Sequence, residues 1–300
     1  MRLSFKHIKS LMFVPGNQEK MLKKSYNIAS QVIVPDIEDS VPPHEKSNAR
    51  KLITQHLHQI FESNINRLIL PRLNSTSSNL FDLDLQNLLT EETSKYLSGF
   101  VIPKLNTPEE LDYIISEISK LEEKLKITEN NKLKLVVWIE SPLGLVNMRE
   151  IFKMNQKHGR IIGAAFGAED YCNDFGIHRS ESLKEVEIAR SIFALTAHAY
   201  NILAFDTPNV EFRNPESIIK EIEYVKTLGF KGKFAIHPSQ VEIINKFFSH
   251  SENQLKEAMK IVEEFEKGVK NGKGAIEIEG KMVDYPVYKR ALSIIERAKL

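Results

Sequence analysis

Eight short apolar runs, rich in β-branched residues, alternate with longer helix-patterned stretches along most of the chain. They are SLMFV (10–14), QVIVPDI (31–37), RLILPRL (67–73), GFVIPKL (99–105), LKLVVWI (133–139), RIIGAAFG (160–167), NILAFD (201–206) and KFAIH (233–237). Continuous apolar runs separated by helices pair in parallel, because a parallel connection needs a helical crossover. Eight such units predict an α/β fold, a closed (β/α)8 TIM barrel. A length of 300 residues is normal for that fold as a single unit.

The intervening stretches carry their own start and stop signals. TPEELDYIISEISKL opens with Thr107 as N-cap, Pro108 in the first turn and Glu109 and Glu110 behind it. Its Leu111, Ile114, Ile115 and Ile118 form one apolar stripe. NPESIIKEIEYVKTLG repeats the device with Asn214 and Pro215, and Gly229 supplies the stop. Beyond the eighth run, a long helix, a Gly-rich turn, AIEIEGKMV and a final helix near 285–299 fall outside the eightfold pattern. The expected division is a barrel over residues 1–250 and an appendage over 251–300.

Composition excludes several function classes. Lys and Arg total 41 against 40 Asp and Glu, so the basic excess of a nucleic-acid binder is absent. No apolar run reaches the roughly 18 residues of a membrane span. The lone cysteine, Cys172, permits no internal disulfide. MRLSFKHIKSLMFVPG is too interrupted for a secretory signal. A cytoplasmic protein is expected.

In such barrels the chemistry sits where strands end. Here those ends are acidic. The second run ends in Asp36, Glu38 and Asp39, the third around Arg72 and Asn74, and the fourth offers Lys104. The fifth delivers Glu140, the sixth Glu169 and Asp170, the seventh Asp206 and the eighth His237. Turn chemistry alone would account for a few of these. Lys104, Asp206 and His237 each read individually as turn residues; the set as a whole does not.

Glu140 and Asp170 end neighbouring strands and face each other over one mouth. Two carboxylates so close repel unless a proton or a cation joins them. Mg2+ suits such a pair, since it takes hard oxygen ligands and leaves positions for water and substrate. No Cys/His cluster has zinc spacing, and His56 and His58 read as surface residues of a helix. Arg72 is placed for a bidentate grip on a carboxylate; the alternative is a structural ion pair with Asp36 or Asp39. Metal plus arginine points to a small oxo- or hydroxy-acid. Neither a GxSxG elbow nor a GxGxxG or P-loop motif is present, while a Schiff-base route through Lys104 stays open.

The ordered motifs LMFVPGNQEKM, DIEDSVPPHEKSNAR, LPRLN, FVIPKL, VVWIESPLG, FGAEDY, AFDT, LGFKGKFAIHPSQ and GKMVDYPVYKRA span residues 11–291. Together they resemble the citrate lyase β-subunit-like family of the HpcH/HpaI aldolases, which includes citryl, malyl-CoA and citramalyl-CoA lyases. The resemblance implies a TIM barrel with a C-terminal lid over 251–300, assembled as a trimer or a hexamer. It implies Mg2+ on Glu140 and Asp170, with Glu140 also facing substrate, and the substrate carboxylate on Arg72. The reaction implied is cleavage of a 3-hydroxy-acyl thioester, on CoA or an acyl carrier, into an acetyl thioester and a 2-oxo acid.

By the same resemblance, Asp284 in GKMVDYP is the acid/base group, offered by the lid to a neighbouring subunit. Glu38 joins Arg72 and Asp284 among the catalytic candidates, and Asp36 and Asp39 support the metal and Arg72 from behind. Lys9, Lys20, Lys46 and Arg50 are the candidate contacts to CoA or a carrier arm. A β subunit proper would need acyl-carrier and transferase partners. Two other readings are a metal-dependent aldolase on free 2-oxo acids and a barrel kept as a non-catalytic ligand-binding scaffold. Two departures from the family pattern stand out. Lys9 replaces a common Arg, and Pro35 inside the second strand should disturb the ladder or form a bulge.

Overall fold

The computed structural model describes residues 5–64, 66–180 and 182–298. The chain divides into two compact units, residues 1–245 and 246–300. The first holds eight parallel strands: β1 (Ser10–Pro15), β2 (Val32–Asp36), β3 (Leu68–Ile69), β4 (Gly99–Ile102), β5 (Lys134–Ile139), β6 (Ile161–Phe166), β7 (Leu203–Asp206) and β8 (Gly232–Ala235). Each lies within or one residue beyond its apolar run. Their order, β3-β2-β1-β8-β7-β6-β5-β4, places β1 beside β8. The remaining seam, β3 to β4, is closed by main-chain bridges of Arg72 to Asp36 and to Val101. Across it Val101 N donates to Pro71 O at 2.9 Å and Leu73 N to Val101 O at 3.2 Å. The ring is the expected TIM barrel.

Pro35 does not form a bulge. The β1–β2 register runs unbroken through Val14 opposite Pro35. The disturbance falls on the other edge, where β2 and β3 pair only through Val32–Leu68 and Ile33–Ile69. Leu70 N and Arg72 N still donate to Ile33 O and Pro35 O. A proline at 35 has no N–H for the rung between them, so β3 is short.

Helices α1 (Glu19–Ser25), α2 (Lys46–Glu62), α3 (Phe81–Leu88), α4 (Pro108–Lys124), α5 (Pro142–His158), α6 (Ala168–Asp174), α7 (Lys184–Ala199), α8 (Pro215–Thr227) and α9 (Pro238–Phe248) follow the strands. Thr107 and Glu110 close a capping box on α4, and Asn214 caps α8 through Ser217 N. Such a cap contributes about 1 kcal/mol. On α2 the buried stripe runs Arg50, Ile53, His56, Leu57, Ile60. His56 is therefore buried, bonded to the Tyr26 hydroxyl, while His58 alone is the surface histidine expected of the pair. Spacing of i+3 from Ile53 puts it on the packed face.

Inside the barrel, Phe13, Trp138 and Phe234 pack ring against ring, at centroid distances of 4.9–5.6 Å for Phe13 and 4.8 Å between Trp138 and Phe234. With Val34, Leu70, Val136, Ala165 and Phe205 they fill the interior. The rim residues thus stand on a solid floor.

The second unit contains α10 (Glu252–Lys270), the hairpin β9 (Ile276–Ile278) and β10 (Lys281–Val283), and α11 (Tyr285–Ala298). Lys299, the last residue of the expected final helix, lies outside the described residues. Glu279 and Gly280 both have positive φ, 50° and 74°, as a two-residue hairpin turn requires. Phe265 of α10 stacks on Tyr288 of α11 at 4.9 Å. Among the described residues no helix is long and apolar enough to cross a membrane.

Candidate active site

At the end of β2 the Asp36 carboxylate is fully buried and holds the fork of Arg72. Arg72 Nε donates to Oδ1 at 2.6 Å and Nη2 to Oδ2 at 2.8 Å. Ser40 Oγ and the amides of Glu38 and Ser40 also donate to Asp36. Burial works against the charge on Asp36, yet Arg72 and these donors hold its carboxyl below the usual range. Arg72 lies over the Phe13 ring at 4.6 Å, so its underside rests on the aromatic floor.

The third nitrogen of Arg72, Nη1, meets Glu38 Oε2 at 2.7 Å and, farther off, Asp39 Oδ2 at 3.4 Å. Lys104 Nζ approaches the same two acids, 2.5 Å from Glu38 Oε1 and 3.0 Å from Asp39 Oδ1. Burial and the neighbouring Asp39 push Glu38 up to about 7 against the pull of Arg72 and Lys104. Asp39 goes the other way. Its partial burial is outweighed by the bond with Glu38 and by the two cations, and it falls to about 2.

Glu140, at the end of β5, is buried too. The Lys104 amide donates to its Oε1 at 2.6 Å. Burial, then the bond with and charge of Asp170, raise its carboxyl well above the ordinary value. Asp170 reaches it from the first turn of α6, after Gly167. A Cβ at position 167 would overlap Glu140 and sit 2.7 Å from its Oε2 and 3.2 Å from Trp138 Cε3. Glycine is what lets β6 pass so close to this carboxylate.

Seven acids are buried among the described residues: Asp36, Glu38, Asp84, Glu122, Glu140, Asp206 and Glu221. Six have an Arg or Lys within ion-pair distance. Glu140 has none; its charged neighbour is another carboxylate. A buried acid is ordinarily paired. The pair supplies hard oxygen donors for a cation. No group of three or more His, Cys, Asp or Glu side chains suited to a metal occurs among the described residues, so such a cation would take its other ligands from water or substrate.

The structure thus brings Asp36, Glu38, Asp39, Arg72, Glu140 and Asp170 to one rim, and adds Lys104, which touches both groups. Lys104, which in sequence reads singly as a turn residue and otherwise as an open Schiff-base candidate, is held here by its ion pairs with Glu38 and Asp39. Glu169 points away, pairing with Arg179 at 2.8 Å. His237 is an exposed rim residue stacked on Phe212. Asp206 is not at the mouth. It alternates with the inward Phe205 and so faces the helices, where Arg190 and Lys233 hold it at 3.0 and 2.5 Å.

Three of the four carrier-contact candidates are corrected. Lys9 precedes β1, at the end of the barrel opposite the rim. Lys46 Nζ is spent on Ile37 O, Glu38 O and Asn74 Oδ1, bracing the acidic loop. Arg50 is buried against Asp84 at 2.6 Å. Lys20 is exposed on α1, which follows the β1 end of the rim. Asp284 belongs to the second unit and caps α11, its Oδ1 accepting from Val287 N at 3.2 Å.

Residues 9–238 match the model of the HpcH/HpaI aldolase/citrate lyase family. The chain belongs to that family. It is 32% identical to the citrate lyase subunit beta of Haemophilus influenzae over 97% of both chains. It is 28% identical to human mitochondrial citramalyl-CoA lyase, over 97% of this chain and 85% of that one. Among solved structures, a Mycobacterium tuberculosis protein in complex with magnesium, acetoacetate and coenzyme A superposes with a TM-score of 0.73 at 21% identity, covering 98% of this chain and all of the other. That likeness bears on the fold.

Proposed function

We propose that the protein is a Mg2+-dependent carbon–carbon lyase. Its substrate is a 3-hydroxy-acyl thioester with a distal carboxylate, of the citryl, malyl or citramalyl type. Its products are an acetyl thioester and a 2-oxo acid. The observation that carries the reading is Glu140, among the described residues the one buried acid with no Arg or Lys within ion-pair distance, set against Asp170. The two carboxylates fit Mg2+, which would supply Lewis-acid polarisation of the oxo-acid oxygens when bound.

The chain's own groups divide the remaining work. Asp36 and the Phe13 ring fix the plane of Arg72. Nη1, shared between Glu38 and a distant Asp39, is where a substrate carboxylate would compete for the guanidinium. Glu38, lifted to about 7, is able to exchange a proton near neutrality at its Oε atoms. Asp284 is assigned the proton transfer to the acetyl fragment, acting from the lid of a neighbouring copy in a trimer or hexamer. The family relatives named for citrate lyase and citramalyl-CoA lyase support both a carrier-bound and a CoA-bound thioester. Exposed Lys20 is left as the candidate phosphate contact. A carrier-bound substrate would add acyl-carrier and transferase partners. A cytoplasmic setting is part of the proposal, in keeping with the free buried thiol of Cys172.

The test is release of acetyl thioester from citryl-, malyl- and citramalyl-CoA, with Mg2+, with EDTA, and with Asp170→Ala. Metal-dependent cleavage of one ester, lost in the variant, is expected. Cleavage indifferent to EDTA and to Asp170→Ala would sink the assignment.

A further inference from the structure

Lys104 is the residue of the rim that touches both acidic groups, and it does so with different atoms. Its main-chain amide donates to Glu140 Oε1 at 2.6 Å. Its ammonium lies 2.5 Å from Glu38 and 3.0 Å from Asp39. Its backbone is left-handed, with φ of +52°, a conformation that a residue with a Cβ rarely adopts. The turn is anchored just beyond that strained link. Leu105 N donates to Trp138 O at 3.1 Å, and Asn106 Nδ2 donates to Lys104 O at 3.0 Å. The end of β4 is thereby laid along β5, with the Lys104 amide aimed at the side chain two residues past Trp138.

We propose that Lys104 is a positioning residue. Its amide orients the Glu140 carboxylate, and its side-chain ion pairs with Glu38 and Asp39 hold the left-handed backbone that aims the amide. The choice of an amide matters physically. A neutral N–H fixes one carboxylate oxygen without cancelling its charge, so Glu140 stays in want of a cation. An ammonium in the same place would satisfy the acid and compete with the metal. Strained backbone at a functional rim is of the kind that surrounding contacts must sustain.

The inference rests on the metal reading above, and Mn2+ serves as the probe. Mn2+ affinity of the full chain is measured by electron paramagnetic resonance for wild type, Lys104→Ala, Lys104→Gly and Lys104→Asn. Lys104→Ala loses the ion pairs while keeping a Cβ, and its Mn2+ affinity is expected to fall about 10–100-fold. Glycine and asparagine adopt positive φ more readily, so both should recover most of that loss. Unchanged or tighter binding by Lys104→Ala overturns the proposal. So does equal weakening in all three variants, which would assign the effect to the ammonium alone. If alanine prevents folding, the glycine and asparagine variants still decide, since Mn2+ affinity well below wild type in both overturns the role of the backbone. A wild type that binds no Mn2+ overturns the metal reading, and this inference with it; wild type that binds beside an indifferent Lys104→Ala overturns this inference alone.

Discussion

Replacing Arg72 with lysine keeps the charge and removes the fork, which isolates what the fork contributes. Arg72 makes three short charged contacts, to Asp36 Oδ1 at 2.6 Å, Asp36 Oδ2 at 2.8 Å and Glu38 Oε2 at 2.7 Å. A single ammonium nitrogen cannot span both Asp36 oxygens and Glu38 in the same geometry. At least one charge-assisted bond is lost, at about 1.5–3 kcal/mol, along with part of the ring contact over Phe13, about 0.5–2 kcal/mol. The side chain is only 9% exposed, so water cannot repair the loss. The expected cost is about 2–4 kcal/mol. At about 2–4 °C per kcal/mol for a unit of this size, the Tm of the barrel should fall by roughly 10 °C. Thermal unfolding followed by circular dichroism at fixed protein concentration measures this. A Tm within about 2 °C of wild type would show that Asp36 does not need the fork, and the account of this rim would be wrong.

Two further perturbations follow from the same electrostatics. Glu38 has its folded pKa raised from the ordinary 4.5 to about 7, so the stability it contributes is complete below 4.5 and lost as pH rises through about 7. Glu38→Gln should therefore show a flatter decline in urea midpoint between about pH 5 and pH 7.5 than wild type; parallel profiles would refute the shift. Asp39, lowered to about 2, acts in the opposite sense and below this window. Lys233 is fully buried between Asp206 at 2.5 Å and Glu221 at 2.9 Å. Lys233→Met leaves two buried acids to Arg190 and Arg179 and should destabilise the barrel by about 3–5 kcal/mol, read by denaturant titration. A loss under about 1 kcal/mol would mean that the arginines balance the cluster unaided.

The barrel was legible because a strand covered on both faces must be continuously apolar and a crossover helix must be capped; both signatures are local. The rim acids were legible because polar residues that end core strands need a reason. What was not legible depended on which side of a strand a residue faces. Asp206 and Glu140 look alike in sequence, each following an apolar run. The inward Phe205 makes Asp206 face the helices and their arginines, whereas Glu140 follows the inward Trp138 at even spacing and stays over the barrel. The partners of Lys46 and Arg50 were not legible for a related reason. Their helix runs back along the barrel from the acidic loop, which brings the Lys46 ammonium to Glu38 O and Arg50 Nε to Asp84.

The seam between β3 and β4 joins stability to chemistry. Pro71 has no donor to offer β4, Pro35 removes one from the adjoining β2–β3 edge, and β3 is cut to two paired residues. A barrel left so would have an open edge. It is closed instead by the backbone of Arg72, bonded to β2 on one side and bridged to Val101 on the other. The same residue's side chain gathers Asp36, Glu38 and Asp39. A ladder with a full set of rungs would close the barrel without Arg72 and leave nothing to hold the guanidinium in register with the acids. The short strand places the one residue that must not shift where any shift would open the fold. Changes at Arg72 should for that reason move Tm and substrate affinity together, while changes at Asp170, half-buried on α6 and outside the ladder, should move metal affinity with little effect on Tm.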